Sequence, residues 1–176
     1  MRLFAAFVPP RPVTESLALE LARHRPGARG DRGGLRWVDP ALWHVTVAFY
    51  GRDDPDRRTE WLRDRLAGYA APRLRLEGAG TFPGVLWTGV TGDSERLRSV
   101  AVRAGTGERN RRYHAHLTLA RWKGAAAAAH AEGWRRLLAG YHGPGWLAGE
   151  LVLMRSDRGP DGPRYTVLER FALAGT

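Results

Sequence analysis

The strongest constraint on the fold is a short pattern that occurs twice. His44-Val45-Thr46-Val47-Ala48 and His116-Leu117-Thr118-Leu119-Ala120 share the form His-x-Thr-apolar-Ala and start 72 residues apart. Each lies in a run that favours a β-strand, with a predicted helix and loop before it and a predicted helix after it. A single His-x-Thr is most simply a structural histidine in a strand, but a repeat indicates two equivalent strand-bearing units.

The spacing within the pattern predicts a chemical use. Residues i and i+2 of a strand point to the same side, so His44 and Thr46 should share one face, as should His116 and Thr118. If both strands face one cleft, a neutral imidazole and a protonated one supply a general base and a general acid near neutral pH. The two hydroxyls can donate to the non-bridging oxygens of a phosphate. The pattern therefore predicts phosphoryl transfer with no metal and no cofactor.

Other classes of site are disfavoured by what the sequence lacks. The chain has no Cys, which excludes disulfides, thiol nucleophiles and Cys-ligated zinc. His114 and His116 form a local pair, but no acidic cluster completes a zinc site. Neither a Gly-x-Ser-x-Gly elbow nor a Gly-x-x-x-x-Gly-Lys phosphate loop occurs. The remaining histidines, His24, His130 and His142, are interpreted as surface or helix residues.

The charge predicts a polyanionic partner. Lys and Arg number 28 against 18 Asp and Glu, a net charge of +10, and Lys123 is the single Lys. Arg suits phosphate because its planar guanidinium donates two parallel hydrogen bonds. The apolar run Leu3–Val8 is too short for a membrane span or a signal-peptide core. We therefore expect a soluble, cytoplasmic monomer that binds nucleic acid and no membrane.

Local patterns predict an α+β or α/β fold in a single domain, residues 1–176. Predicted strands are Arg2–Val8, Leu35–Val38, Trp43–Tyr50, Leu74–Glu77, Val85–Val90, His116–Trp122, Leu147–Met154 and Tyr165–Leu173. Predicted helices cover 13–24 and begin at Asp53–Pro55, Asp93–Ser94 and Ala125. Gly78, Gly80 and Gly84 are expected to break the segment after Glu77, and the stretch RSDRGPDGP is expected to be a turn.

With these residues in place, the chain resembles the 2H phosphoesterase superfamily, whose signature is a pair of His-x-Thr motifs. The closer resemblance is to the bacterial and archaeal RNA 2′,3′-cyclic phosphodiesterase (2′-5′ RNA ligase) family. It rests on the opening RLFAAFVPP, the blocks RWVDPALWHVTVAFYG and YHAHLTLAR, and the closing GPRYTVLERFAL. The resemblance covers nearly the whole chain.

The resemblance implies a bilobal α+β fold with two pseudo-symmetric lobes, each an antiparallel sheet with outer helices, and an active cleft between them. It implies that His44 and His116 are catalytic, the former as acid and the latter as base, and that Thr46, Thr118 and Arg121 bind phosphate. Strand alternation alone places Arg121 opposite His116, so a bend or a strand end is required.

The implied reaction is hydrolysis of an RNA 2′,3′-cyclic phosphate end to a 2′-phosphate. Joining of RNA ends through a 2′-5′ bond is a second reaction that could accompany it, and tRNA fragments are among the candidate substrates. Two alternatives stay open: action on a small cyclic nucleotide, and a non-catalytic RNA-binding module.

The sequence also departs from the family pattern. Ala115 stands where Pro is common, Phe49-Tyr50-Gly51 replaces Phe-Leu-Gly, and the stretch Gly105–Arg112 is short. Trp37, Phe49 and Tyr113 are candidates to stack on a base. Alternation nevertheless places Phe49 opposite His44, which favours a core position for it.

Overall fold

The computed structural model describes residues 2–24, 33–106, 113–160 and 162–175, and within them it contains nine strands and four α-helices. The strands are β1 (Arg2–Phe7), β2 (Arg36–Trp37), β3 (Val45–Gly51), β4 (Arg73–Phe82), β5 (Val85–Gly92), β6 (His116–Arg121), β7 (His142–Leu147), β8 (Glu150–Gly159) and β9 (Gly162–Ala172). The helices are α1 (Arg11–Arg23), α2 (Pro55–Leu66), α3 (Ser94–Arg103) and α4 (Ala125–Leu137).

The strands form one antiparallel sheet in the order β7-β4-β5-β6-β3-β1-β8-β9, with β2 paired to β6. The two strands that carry the repeated motif, β3 and β6, lie side by side in the middle, and their ladder consists of Val45 opposite Leu117. This junction divides the sheet into a first half (β3, β1, β8, β9) and a second half (β6, β5, β4, β7). The predicted α+β, bilobal class is therefore confirmed.

The helices are distributed between the two halves. Helices α1 and α4 pack on β7 and β4 of the second half, whereas α2 and α3 pack on β9 and β3 of the first. Because β1 lies in the first half while α1 and β2 lie in the second, the chain crosses between the halves repeatedly. Neither half is a continuous segment of the sequence.

Local signals place the helices as the sequence predicts. In α1, Val13, Leu17 and Leu21 are buried at a spacing of four residues, which puts one apolar stripe against the sheet. In α2, the side chain of Asp54 accepts a hydrogen bond from the backbone N–H of Arg57 at 2.8 Å, a standard N-cap.

Strand β4 is longer than predicted, because Gly78 and Gly80 do not break it. The register with β5 shifts between Glu77 and Gly80, and Gly78 has a φ of +64°, so the glycines form a bulge inside the strand. Gly80 also makes room for a ring, since a Cβ there would lie 2.2 Å from the side chain of Trp87.

The segment after α4 forms two strands where the sequence predicts one from Leu147 to Met154. Strand β7 ends at Leu147 and pairs with β4, and β8 begins at Glu150 and pairs with β1 and β9. The stretch RSDRGPDGP is likewise mostly strand, since β8 continues to Gly159 and β9 begins at Gly162. Cross-strand pairing thus extends both strands into residues with weak β propensity.

The core has two parts. A large cluster lies between the sheet and the helices, and a small one lies on the other face of the first half. The small cluster contains Phe4, Ala6, Val152 and Met154, with Tyr165 packed against it. Strand β1 is therefore buried on both faces, as its apolar run predicts. This second face is the one that carries the candidate site.

Candidate active site

The junction of β3 and β6 brings the repeated motifs together. Val45 and Leu117 are 0% exposed and point into the main core. The residues on either side of each point the opposite way and are only partly buried. They line a single cleft of about 610 Å³: His44, Thr46, His116 and Thr118. The structure thus brings together the four residues that the spacing singled out.

Arg121 joins the same cleft through a β-bulge. Leu86 of β5 lies opposite Ala120, and the next residue, Trp87, lies opposite Thr118, so that Leu119 is an extra residue in β6. Leu119 and Ala120 are both buried, and alternation resumes one residue later. Arg121 therefore returns to the face of Thr118 and lines the cleft. The bulge at Leu119 is thus the bend in β6 that Arg121 needs in order to face the cleft.

The same bulge occurs in β3, and it corrects the prediction for Phe49. Ala5 lies opposite Ala48 and Ala6 lies opposite Thr46, which leaves Val47 as the extra residue. Phe49 is consequently on the cleft side of the sheet and is 63% exposed, not a core residue. The signal in the sequence was the pair of consecutive apolar residues after each Thr, which strict alternation does not explain.

The two imidazoles are oriented by equivalent hydrogen bonds. His44 Nδ1 lies 2.8 Å from the carbonyl oxygen of Leu42, and His116 Nδ1 lies 2.8 Å from that of His114. A carbonyl can only accept, so each Nδ1 carries a proton and donates it. Each Nε2 is then the atom available for proton transfer.

The two imidazoles differ in their surroundings. His44 packs against the rings of Phe4 and Tyr165, with ring centroids 5.1 and 5.2 Å away, and those two rings also contact each other at 5.3 Å. His116 lies edge-on to Phe82 at 5.1 Å and is the less enclosed of the two. Burial lowers the pKa of both imidazoles, and the positive charge of Arg121 lowers it further.

The walls of the cleft also include residues outside the repeated motif, most of which no sequence pattern singled out. Arg36 and Trp37 come from β2, and Gly162, Pro163 and Tyr165 come from β9. Trp37 was named as a possible base-stacking residue, and its ring is edge-on to Trp134 at 4.8 Å. The role of Tyr165 depends on the docking of β9 beside β8, which no local pattern indicates.

The other histidines lie elsewhere. His24 follows α1, His130 is on α4 and His142 begins β7, and none of these lines the cleft. Among residues 2–24, 33–106, 113–160 and 162–175, no three His, Asp or Glu side chains are grouped in a way that could hold a metal ion. In the same residues, no helix is both long and apolar enough to cross a bilayer.

A family model for the 2′-5′ RNA ligase superfamily matches residues 9–160. The chain belongs to the 2′-5′ RNA ligase superfamily. The resemblance drawn from its motifs, and with it the assignment to a family of phosphodiesterases, is confirmed.

Relatives within the superfamily cover most of the chain. An RNA 2′,3′-cyclic phosphodiesterase of Thermus thermophilus is 31% identical, with 99% of this chain and 91% of that protein aligned. One of Methanothermobacter thermautotrophicus is 32% identical over 79% of this chain and 83% of that protein.

Solved structures of other proteins share the fold. A crystal structure of a Thermus thermophilus protein superposes with a TM-score of 0.74 and 29% identity, covering 99% of both chains. E. coli LigT complexed with phosphate gives 0.70 and 26%, covering 98% of this chain and 96% of that one. Of the departures from the superfamily pattern, Ala115 precedes β6 in the structure, whereas residues 107–112 of the short segment lie outside the described part.

Proposed function

We propose that this protein hydrolyses the 2′,3′-cyclic phosphate at an RNA end to a 2′-phosphate by acid–base catalysis with two histidines. The observation that carries the proposal is the junction at Val45 and Leu117, which places two His-x-Thr strands around one cleft with both Nε2 atoms available. The names of the relatives support the same substrate class.

His116 acts as the base and His44 as the acid in this proposal. His116 is the more open imidazole, so water reaches it more easily, whereas His44 is enclosed by Phe4 and Tyr165. A water oxygen forms a bond to phosphorus and gives its proton to His116 Nε2. The bond from phosphorus to the ribose O3′ breaks, and His44 Nε2 gives its proton to O3′. The products are a 2′-phosphate and a free 3′-hydroxyl.

Thr46, Thr118 and Arg121 stabilise the charge on the phosphate. Their side chains line the same cleft as the two imidazoles, and hydroxyl and guanidinium groups both donate to phosphate oxygens. Donors fixed in place before the reaction stabilise charge that develops in the transition state. We propose that these groups suffice without a metal ion or cofactor.

The proposal also covers the RNA partner, the oligomeric state and the location of the protein in the cell. The exposed side chains of Arg36 and Arg121 border the cleft, and such cations suit the backbone of RNA, with tRNA fragments among the candidates. We propose a monomer that acts in the cytoplasm. The reverse-type reaction, in which a 5′-hydroxyl opens the ring to form a 2′-5′ linkage, belongs to the same proposal.

The test is turnover of a dinucleotide that ends in a 2′,3′-cyclic phosphate, measured in excess chelator. We expect conversion to the 2′-phosphate at the rate found without chelator. The matched control is the same dinucleotide with an open 3′-phosphate, which should remain unchanged. A 3′-phosphate product, or activity that chelator removes and one metal restores, would contradict the mechanism. Binding without any turnover would instead indicate an RNA-binding module.

A further inference from the structure

The two copies of the repeat differ at the position two residues before each catalytic histidine. Leu42 precedes His44, and His114 precedes His116. The backbone has the same use in both copies, since each carbonyl accepts the Nδ1 proton of the histidine that follows, at 2.8 Å. The side chains are not equivalent, because one is aliphatic and the other is an imidazole that can carry a charge. The repeat therefore gives His116 a titratable neighbour where His44 has an apolar one.

The ring of His114 is stacked on the ring of His116. The two imidazole planes meet at 25°, and their centroids are 6.4 Å apart. Trp87 and Phe82 contact the ring of His114, at centroid distances of 4.6 and 5.7 Å. The same two rings contact His116, at 6.2 and 5.1 Å. The four rings therefore form one cluster, which holds the two imidazoles at a fixed separation.

The surroundings of His114 suit a positive charge. Its side chain is exposed, so water can hydrate the protonated form. The ring of Trp87 is 4.6 Å away, which is close enough for a cation–π interaction. A charged His114 therefore has both solvent and an aromatic ring to stabilise it, and it lies beside His116 in either protonation state.

Charged and titratable groups of several elements face the two catalytic histidines. Those that line the cleft or the smaller cavity beside it are Arg36 of β2, Asp39, His44, Tyr113, His114, His116, Arg121 of β6 and Tyr165 of β9. Asp39 is the only carboxylate among the described residues that line either space, and it lines the cleft but not the cavity that His114 lines. The oxygen Oδ1 of Asp39 accepts the backbone N–H of Ala41 at 2.8 Å.

The influences on the two catalytic imidazoles differ in the same way. Burial is the largest influence on the pKa of His116 and lowers it, and the charges of His114 and Arg121 lower it further, against the carbonyl of His114, which raises it. Burial also lowers the pKa of His44 most, the carbonyl of Leu42 raises it, and the charges of His116 and Arg121 lower it. His114 thus acts on His116.

We propose that the positive charge of His114 keeps His116 neutral and thereby makes His116 the base of the catalytic pair. This rests on the proposed function. A cation disfavours a second positive charge close to it, and Leu42 has no such effect on His44. His44 is then the imidazole that holds the proton which the leaving O3′ receives. His114 contacts no reacting atom in this scheme, so it is a positioning residue that acts through His116.

The charge of His114 has two uses during the reaction. A bound cyclic phosphate is an anion and favours the protonated form of both catalytic imidazoles, which would inactivate the base. Repulsion from His114 opposes this at His116 and leaves His44 protonated. After the attack, His116 holds the proton of the water, and the same repulsion favours release of that proton to solvent. The base is thus returned to its neutral form for the next turnover.

The experiment is an NMR titration of the histidine Cε1–H signals in the free protein. We expect His114→Leu, which copies the residue at Leu42, to raise the pKa of His116 by about 0.5–1 unit, as for two charges about 6 Å apart near a protein surface. His114→Arg should keep the pKa of His116 low, because a guanidinium is always charged and stacks on aromatic rings. The matched control is His142→Leu, which removes an imidazole three strands away on β7 and should leave His116 unchanged.

The pH profile of kcat/KM gives a second readout of the same variants. The low-pH limb reports the base, so His114→Leu should move it to higher pH by the same 0.5–1 unit, to about that precision. The high-pH limb, which reports His44, should stay in place. His114→Arg should retain the profile of the unaltered protein.

Three results would overturn the inference. The first is an unchanged pKa of His116 in His114→Leu. The second is an equal rise in His114→Arg, since the effect would then come from packing and not from charge. The third is movement of the high-pH limb in place of the low-pH limb, which would connect His114 to the acid. Failure of the unaltered protein to hydrolyse the cyclic dinucleotide would instead contradict the proposed function, whereas the NMR titration measures the effect of His114 without any turnover.

Discussion

At the scale of single residues, the two histidines have the same orientation and unequal surroundings. Both direct Nδ1 to a carbonyl two residues earlier in the chain, at 2.8 Å. His44 is then covered by Phe4 and Tyr165, whereas His116 borders both the cleft and a neighbouring cavity of about 470 Å³. Equivalent residues of the repeat can therefore take different parts in the reaction.

Replacing either histidine should abolish most of the turnover. We expect His44→Ala and His116→Ala each to lower kcat by roughly 100- to 10,000-fold, the usual loss when a general acid or base is removed. Steady-state kinetics on the cyclic dinucleotide, with circular dichroism to verify folding, would measure this. His142→Ala, an exposed imidazole on β7, is the control and should retain the rate. A folded His44 or His116 variant with a near-normal rate would exclude that residue from proton transfer.

The pH profile should be bell-shaped and displaced to the acid side. Activity requires a neutral base and a protonated acid, so it falls at low pH as the base gains a proton and at high pH as the acid loses one. Burial lowers the pKa of His44 and His116 in the free protein, so both limbs of kcat/KM should lie below the ordinary imidazole value of about 6.5.

Bound substrate should move these limbs. The cyclic phosphate is an anion and favours the protonated imidazole, so the limbs of kcat should lie at higher pH than those of kcat/KM. The apparent values belong to the pair of histidines and not to either one alone. Limbs of kcat/KM above the ordinary imidazole value would refute the effect of burial, and a single limb would mean that one histidine acts alone.

At the scale of strands, the paired bulges explain what the sequence predicted well and what it missed. The positions of His44, Thr46, His116 and Thr118 follow from alternation within short segments, which needs no tertiary information. Strict alternation predicts the wrong face of the sheet for Phe49, because alternation stops at the bulge. For Arg121, the resemblance to a family implied a position in the cleft, and that position required a bend in the strand.

The strands outside the repeated motif also show that local patterns do not determine where a strand begins and ends. Gly78 and Gly80 are poor strand formers, yet β4 continues through them because β5 supplies partners on both sides of the bulge. Leu147 and Glu150 belong to different strands although the local pattern is continuous. Tyr165 reaches the site only because β9 pairs with β8. Such outcomes depend on distant pairing and are not encoded locally.

Two glycine substitutions should have opposite effects on stability. Gly80→Ala should lower the free energy of unfolding by about 1–3 kcal/mol, because the new Cβ would meet the ring of Trp87 at 2.2 Å. Gly133→Ala should raise it by about 0.5–1 kcal/mol, since it lies within α4 with nothing within 4 Å. Urea unfolding of the three proteins would compare them. Equal stability of Gly80→Ala and the unaltered protein would show that the Trp87 ring moves freely.

At the scale of the whole molecule, the charge should act on RNA more than on the reacting group. Some cations are paired, such as Arg58 with Asp53 and Arg63 with Glu169, but Arg36 and Arg121 are exposed at the cleft. Binding of single-stranded RNA should therefore weaken with salt, with a slope of log K against log salt of about −0.7 for each neutralised phosphate.

Turnover of a cyclic mononucleotide provides the comparison for this prediction. It has one phosphate, so its KM should change far less across the same salt series than the affinity for an oligonucleotide. Titrations at several salt concentrations, with both substrates in the same buffer, would measure the difference. A flat plot for the oligonucleotide would mean that the net charge of +10 has no part in RNA binding.

Because the chain crosses between the two halves of the sheet, the sheet cannot be completed until the last strands have been synthesised. Strand β1 emerges from the ribosome early, yet in the sheet it lies between β3 and β8, and β8 and β9 are translated late. Both His-x-Thr strands are thus synthesised before Tyr165, whose ring encloses His44. A nascent chain that stops before β9 contains both imidazoles but lacks the Tyr165 ring that packs on His44. We therefore expect turnover to begin only after translation has passed β9 and the sheet has closed.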